Sequence, residues 1–223
     1  MATTAPPTRT PLWRRPVVIY TVLALALLGA IAGTTTVVSA SDTAAADSGK
    51  HMFDAKGYAN EKYDSEVVPA ITKSAVPIIE LLPKIIADPA AAGAKYGHHD
   101  GITSPYAYAV TGTGVAGAVQ GTLMPLTVAG MPPGVQLMIQ VGPAINGTAL
   151  RDATGLIGFG DFLNQIEYAN ASTELNAKVK QEVLAGFDAA AAVGKKVTFT
   201  GAFAYGSNTA LLQITPIKLE VTP

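Results

Sequence analysis

Four charged side chains, Arg151, Asp152, Asp161 and Glu167, crowd between Arg151 and Asn170 of a chain that is only 14% charged. Asn164, Gln165 and Tyr168 stand among them. These residue types fit three kinds of chemistry. A carboxylate pair is what acid/base glycoside hydrolysis needs. Six residues apart on a helix, however, Asp161 and Glu167 would sit roughly 9 Å apart along the axis and on different sides. No serine occupies a nucleophile elbow and no histidine lies near in sequence, so the stretch is not read as catalytic. Amides, carboxylates and an aromatic platform are also what a sugar site uses. Arg151, Asp161, Asn164, Gln165, Glu167 and Tyr168 are therefore the candidate contacts to a ligand or partner. The third reading is structural. A long irregular crossing must pair its backbone groups, and Asp161, Asn164 and Gln165 are side chains that do so. Arg151 has Asp161 or Glu167 as an ion-pair partner in this reading.

Other chemistry-bearing patterns are weaker. "YGHHDG" places His98, His99 and Asp100 together, but adjacent histidines point apart and no further ligand follows at a usual spacing. A solvated turn after a helix is the reading. "GTGVAG" and "GLIGFG" lack the strand, loop and helix context of a dinucleotide site. No cofactor and no metal are assigned.

The elements that must position these residues follow from periodicity. From Phe53 to Tyr96 the pattern is helical, with Asp54 as a first cap. Ala75, Ile79, Leu82 and Ile86 keep helical spacing, interrupted by Pro69, Pro77 and Pro83. Asp88-Pro89 starts another helix that stops at Gly97. After Pro105 strands begin. Tyr106, Tyr108 and Val110 share a face; "GVAGAVQGTL" is a weaker, glycine-rich second strand. In the third, Val135, Leu137, Ile139 and Val141 point one way and Gln136 and Gln140 the other. A helix follows, capped by Ser172, striped by Leu175, Val179, Val183 and Phe187, and stopped by Gly194. Two strands close the chain. Val197, Phe199, Gly201 and Phe203 share a face in one. In the other, Leu212 and Ile214 have one parity and Ile217, Leu219 and Val221 the opposite, so a bulge is expected at Thr215-Pro216. Five short strands with a helix between the third and fourth is the order of an OB-type barrel. The expected fold is α+β: a five-stranded OB-like barrel (105–223) with an N-terminal helical layer (53–97). An open α+β sheet is the alternative.

The N-terminus speaks to compartment. Residues 1–15 are basic and acid-free, with Arg9, Arg14 and Arg15. Val17 to Ala40 carries no charge, and about 20 apolar residues suffice to cross a bilayer. The segment 16–40 reads as a single transmembrane anchor, or as a signal peptide cut after a site such as Val38-Ser39-Ala40. The arginines before it place the remainder outside the cytoplasm. Residues 41–52 are small and polar, a flexible tether to the extracytoplasmic domain at 53–223. If the segment is cleaved, the body is secreted or periplasmic. The formal charge of −1 argues against nucleic acid as a partner. Cysteine is absent, which removes disulfides and thiolate chemistry.

The run "GTALRDATGLIGFGDFLNQIEYANASTELN", with "IADPAAAGAKYG", "IQVGPAINGTALRD" and "GKKVTFTGAF", resembles a family of predicted periplasmic lipoproteins, domain of unknown function 2291. The resemblance spans about Asp54 to Val221. It implies an OB-like fold with a helical N-terminal addition. It also implies an accessory role beside sugar ABC-transporter components. It assigns no catalytic residues, and Gly147, Arg151, Asp152, Asp161, Phe162, Asn164, Gln165, Glu167 and Tyr168 are motif positions only. A lipoprotein carries its lipid on a cysteine; this chain has none, and a membrane helix would hold the domain instead. The reading is therefore a non-enzymatic, membrane-tethered binding or accessory module for a sugar ABC transporter, with a saccharide as ligand. The rival is a structural envelope protein that works through protein contacts alone.

Overall fold

A computed structural model describes Tyr20 and residues 23–27, 53–101, 103–206 and 208–222. Tyr20 and Leu23 to Leu27 are helical with exposed side chains. Apart from these few positions, the expected anchor or signal segment at 16–40 and the tether at 41–52 lie outside the described residues. Among the described residues no helix is long and apolar enough to cross a membrane.

Residues from Phe53 onward form a compact unit with its own cores. Helix α1 (Ala55–Lys62) starts where Asp54 accepts a hydrogen bond from Gly57 N at 2.8 Å. It passes through a π turn (Tyr63–Val67) into α2 (Val68–Ser74). The chain then extends through Val76 and Pro77, a two-residue strand β1. Helix α3 (Ile78–Ala87) buries Ile78, Leu81, Leu82 and Ile85. This corrects the sequence stripe: Ile79 and Ile86 are exposed, and Ala75 lies in the extended break between α2 and α3. The extended Ala75 to Pro77 restarts the helical phase, so spacing counted across it selects the wrong face. Asp88 caps α4 (Pro89–Tyr96) by accepting from Ala91 N at 3.0 Å. Gly97 ends α4 in an extended conformation and enters β2 (Gly97–His98).

Five longer strands close a barrel: β3 (Ala107–Ala116), β4 (Leu123–Thr127), β5 (Gln136–Gln140), β6 (Lys196–Ala204) and β7 (Leu211–Thr222). Their order is β3-β4-β5-β7-β6, and β6 returns to β3 over nine paired positions. The β5–β7 pair is parallel and the other barrel pairs are antiparallel. The second strand lies later than the sequence pattern placed it. Gly114 to Ala116 continue β3, and the true second strand carries Pro125 at its centre. Pro125 cannot donate to a ladder, which hides the strand from pattern reading.

Side-chain alternation sends each strand's two faces to two cores. Tyr108, Val110, Leu137, Ile139, Val197, Phe199, Phe203, Leu212 and Ile214 fill the barrel with the four buried residues of α3. The opposite face offers small residues, Ala107, Ala109 and Ala202, to the helical layer. Tyr63, Val67, Ile71, Leu150, Leu175 and Val179 pack there. The β7 bulge exists one residue beyond its expected place: Pro216 pairs with Gly201 and Lys218 with Thr200, leaving Ile217 as the extra residue. Ile217 turns to the helical layer while Leu219 returns to the barrel side. A Cβ on Gly201 would lie 2.4 Å from Thr215 O, so glycine is what lets β7 bulge against β6.

The connection from β5 to β6 contains α5 (Ala149–Ala153), a 3₁₀ turn (Phe159–Asp161) and α6 (Gln165–Val179), which continues as a π turn to Leu184. Asn164, not Ser172, caps α6, and the helix ends well before Gly194. Ser172 is buried inside it and donates to Gly147 O at 3.1 Å.

Candidate functional site

Arg151 sits on α5 with 6% of its surface exposed. Its Nε donates to Asp152 Oδ1 at 2.8 Å, and Nη2 reaches the same oxygen at 2.7 Å. Its Nη1 donates to Tyr168 O at 2.9 Å. The guanidinium carbon lies 3.3 Å from the Tyr168 ring centroid. Arg151 therefore ties α5 to α6 through a charge pair, a backbone acceptor and an aromatic face. Its ion-pair partner is the neighbouring Asp152, not Asp161 or Glu167. Thr148 Oγ1 donates to the second Asp152 oxygen.

The other carboxylates and the first amide are occupied by backbone. Asp161 Oδ2 accepts from Gly158 N at 2.9 Å, closing its own 3₁₀ turn. Asn164 Oδ1 accepts from Ile166 N and Glu167 N at 2.9 and 3.0 Å, as an N-cap does. Glu167 Oε2 accepts from Leu163 N at 3.1 Å. Gln165 is exposed on the first turn of α6. The structure thus brings Arg151 and Tyr168 together. It places Asp161, Asn164 and Glu167 as local caps along one loop.

Sequence reasoning read Asp100 only as part of a solvated turn. Its carboxylate accepts from Phe159 N across 59 positions of sequence. The Tyr168 hydroxyl and the Phe159 N–H hold it below the usual carboxylate range. Burial, then the hydrogen bond to Asp100, pushes the Tyr168 phenol above its usual value. "YGHHDG" is consequently more than a solvated turn. His98 belongs to β2, and its ring lies against Gly155, where a Cβ would come within 2.5 Å of Nδ1. Gly155 also has φ +64°, so the position is closed to other residues on two counts. His99 sits edge-on to Tyr106 at 4.4 Å. His98, His99, Asp100 and Asp152 line a hollow of about 220 Å³. Among the described residues, no group of three His, Asp or Glu side chains is placed to hold a metal.

Four larger openings lie elsewhere: shallow ones of about 610 Å³ by Lys195, Lys196 and Val221 and about 550 Å³ by Glu66, Lys73 and Leu156, and two more along the barrel. A groove of about 490 Å³ runs along the β4–β5 hairpin, lined by Gln120, Leu126, Thr127, Met131, Gln136 and Met138. A cleft of about 280 Å³ lies by Asn146, Thr148, Asn208 and Gln213. Gln140 forms its floor, hydrogen-bonded to Thr215 and to the Asn146 backbone. The aromatic offered as a sugar platform is not open: the Tyr168 ring is covered by Arg151.

The family model for predicted periplasmic lipoproteins, DUF2291, matches residues 21–220. The chain belongs to this family. A solved OB-fold protein from Thermotoga maritima MSB8 superposes with a TM-score of 0.61 at 23% identity. The match covers 77% of this chain and 99% of that one. It shows the fold: the closed β3-β4-β5-β7-β6 barrel is an OB-fold. Among curated proteins, none is significantly similar in sequence. The family's description is of a lipoprotein, while these 223 residues contain no cysteine to carry a lipid.

Proposed function

We propose that this protein is a non-enzymatic binding module held at the outer face of the cytoplasmic membrane. It takes its ligand on the β4–β5 face of the barrel. The observation that carries this reading is the groove of about 490 Å³ along that hairpin. β4 and β5 are the second and third barrel strands, the face on which OB-folds take oligosaccharides and oligonucleotides. The formal charge of −1 disfavours a polyanion, which leaves a saccharide. Gln120, Thr127 and Gln136 supply hydrogen-bonding side chains, and Met131 with Leu126 supplies an apolar wall. An accessory role beside a sugar ABC transporter, implied by the family resemblance, accords with such a ligand. The absence of catalysis is supported by the fate of the carboxylates: Asp161 and Glu167 each serve a backbone N–H.

The test is thermal unfolding of the full chain against mono- and oligosaccharides. A ligand that binds only the native state raises Tm by mass action. The reading expects a rise that Gln136→Ala abolishes and Gln165→Ala leaves intact. No rise with any saccharide would reject the saccharide. The second reading, an envelope protein working through contacts alone, is favoured by the exposed Ile79 and Ile86 on α3.

A further inference from the structure

Large apolar side chains protrude from the loop that joins α5 to α6 and from the first turn of α6. Leu163 is 85% exposed and Ile166 72%, and Leu156 and Phe159 are exposed beside them in sequence. These are not frayed positions. Phe159 N is held by Asp100, Leu163 N by Glu167 and Ile166 N by Asn164. The fold thus presents apolar side chains on a backbone pinned from below. Solvent alone gives no reason for such a display.

The place where the chain reaches the body identifies what covers them. The compact unit begins at Phe53. The Phe53 ring lies 5.3 Å from that of Phe162, the residue preceding Leu163. Residues 41–52 separate Phe53 from the apolar segment at 16–40, and fully extended they span at most about 40 Å. Through the Phe53–Phe162 contact, the protruding stretch lies where the chain enters the body. Phe53 touches the rings of Tyr58 and Phe162, and Tyr168 touches those of Phe162 and Phe159; tyrosine is an amphipathic residue that favours the headgroup level.

We propose that Leu156, Phe159, Leu163 and Ile166 form a membrane-contacting face that dips into the interfacial layer of the bilayer. The proposal rests on the membrane-held reading above. The face orients the body, turning the end of β3 at Ala107 toward the lipid. That end is fixed to the loop through His98, which pairs with Ala107 and packs on Gly155. Val193, next to the Gly194 that donates to Ala116 O, marks the opposite end of the ten-residue β3. Asp161 flanks the face as an exposed carboxylate, so zwitterionic lipid is the matching surface.

The chain contains no cysteine, so a single introduced thiol carries an environment-sensitive fluorophore without competition. Leu163→Cys, Ile166→Cys and, as control, Val193→Cys are labelled in the full chain and reconstituted into phosphatidylcholine vesicles. Labels at 163 and 166 should shift to the blue. They should be quenched several-fold more by shallow spin-labelled lipid than the label at 193, and be shielded from iodide. Labels at 163 and 166 as open to iodide as that at 193, on a chain that floats with the vesicles, would overturn this proposal alone. A full chain that does not float with the vesicles would overturn the membrane-held reading and this proposal with it.

Discussion

Replacing Arg151 with methionine tests whether the polar stretch is a clasp. Arg151 and Asp152 have side chains only 7% and 11% exposed, so the pair is outside the weak surface regime. Arg151→Met leaves the Asp152 carboxylate buried, with Thr148 as its remaining close side-chain donor. Breaking one side of a buried pair costs about 3–5 kcal/mol. The lost bond to Tyr168 O adds roughly 1 kcal/mol, and lost stacking on the ring a similar amount. These losses overlap, and methionine refills part of the stem, so about 4 kcal/mol is expected. A domain holds about 5–15 kcal/mol in total, so the effect is large. The assay is urea unfolding of residues 53–223 followed by circular dichroism. With an m-value of about 2 kcal/mol/M, the midpoint should fall by roughly 2 M. Asp152→Asn removes the orphaned charge, so the double variant should cost less than the sum of the singles by at least about 1.5 kcal/mol. A loss below about 1 kcal/mol for Arg151→Met, or strict additivity in the cycle, would refute the reasoning.

Other predictions follow the same geometry. Asn164→Ala should cost about 1 kcal/mol as a lost N-cap, while Gln165→Ala should leave the urea midpoint unchanged. Gly201→Ala should destabilise strongly, because its Cβ would lie 2.4 Å from Thr215 O, whereas Gly186→Ala, with open space around it, should be tolerated; midpoints of both decide this. Burial pushes the Tyr108 phenol up to about 12 and those of Tyr63 and Tyr168 up as well. A raised folded-state value means the stabilisation is complete below the unfolded phenol value of about 10 and is lost as pH rises above it. Tm should therefore fall between pH 9 and pH 11. The buried Tyr63 hydroxyl has no hydrogen-bond partner among the described residues, so Tyr63→Phe should shrink that fall without lowering Tm at pH 7.

Local signals were read correctly where one residue's chemistry decides the outcome. Asp54 and Asp88 cap the helices they were expected to cap. The inward faces of β3, β5 and β6 follow strict alternation. The barrel order followed from the count of strands and the place of the helix between them. Errors arose where tertiary contact overrides a local pattern. Pro125 masked β4, because its ring sits in a strand only five residues long. Ile79 and Ile86 matched a helical period that the break at Ala75 to Pro77 resets. Ser172 carries a cap's side chain, but Asn164 begins the helix earlier and the serine hydroxyl is spent on Gly147 O. In the polar stretch the residue types were legible and their partners were not. Arg151 pairs with its sequence neighbour, and Asp100 arrives from β2's far side through a contact that no spacing rule encodes. The groove on β4–β5 was hidden for the same reason as β4 itself.

The central claim is that the segment from Gly158 to Glu167 is a pinned clasp rather than a ligand site. Amide hydrogen exchange on wild type and Arg151→Met addresses it most directly. The account predicts that the amides of Gly158, Phe159, Leu163, Ile166 and Glu167 are protected without ligand and lose protection together when Arg151 is replaced. Exchange at unprotected rates in the wild type, or protection that appears only on adding a saccharide, would contradict it.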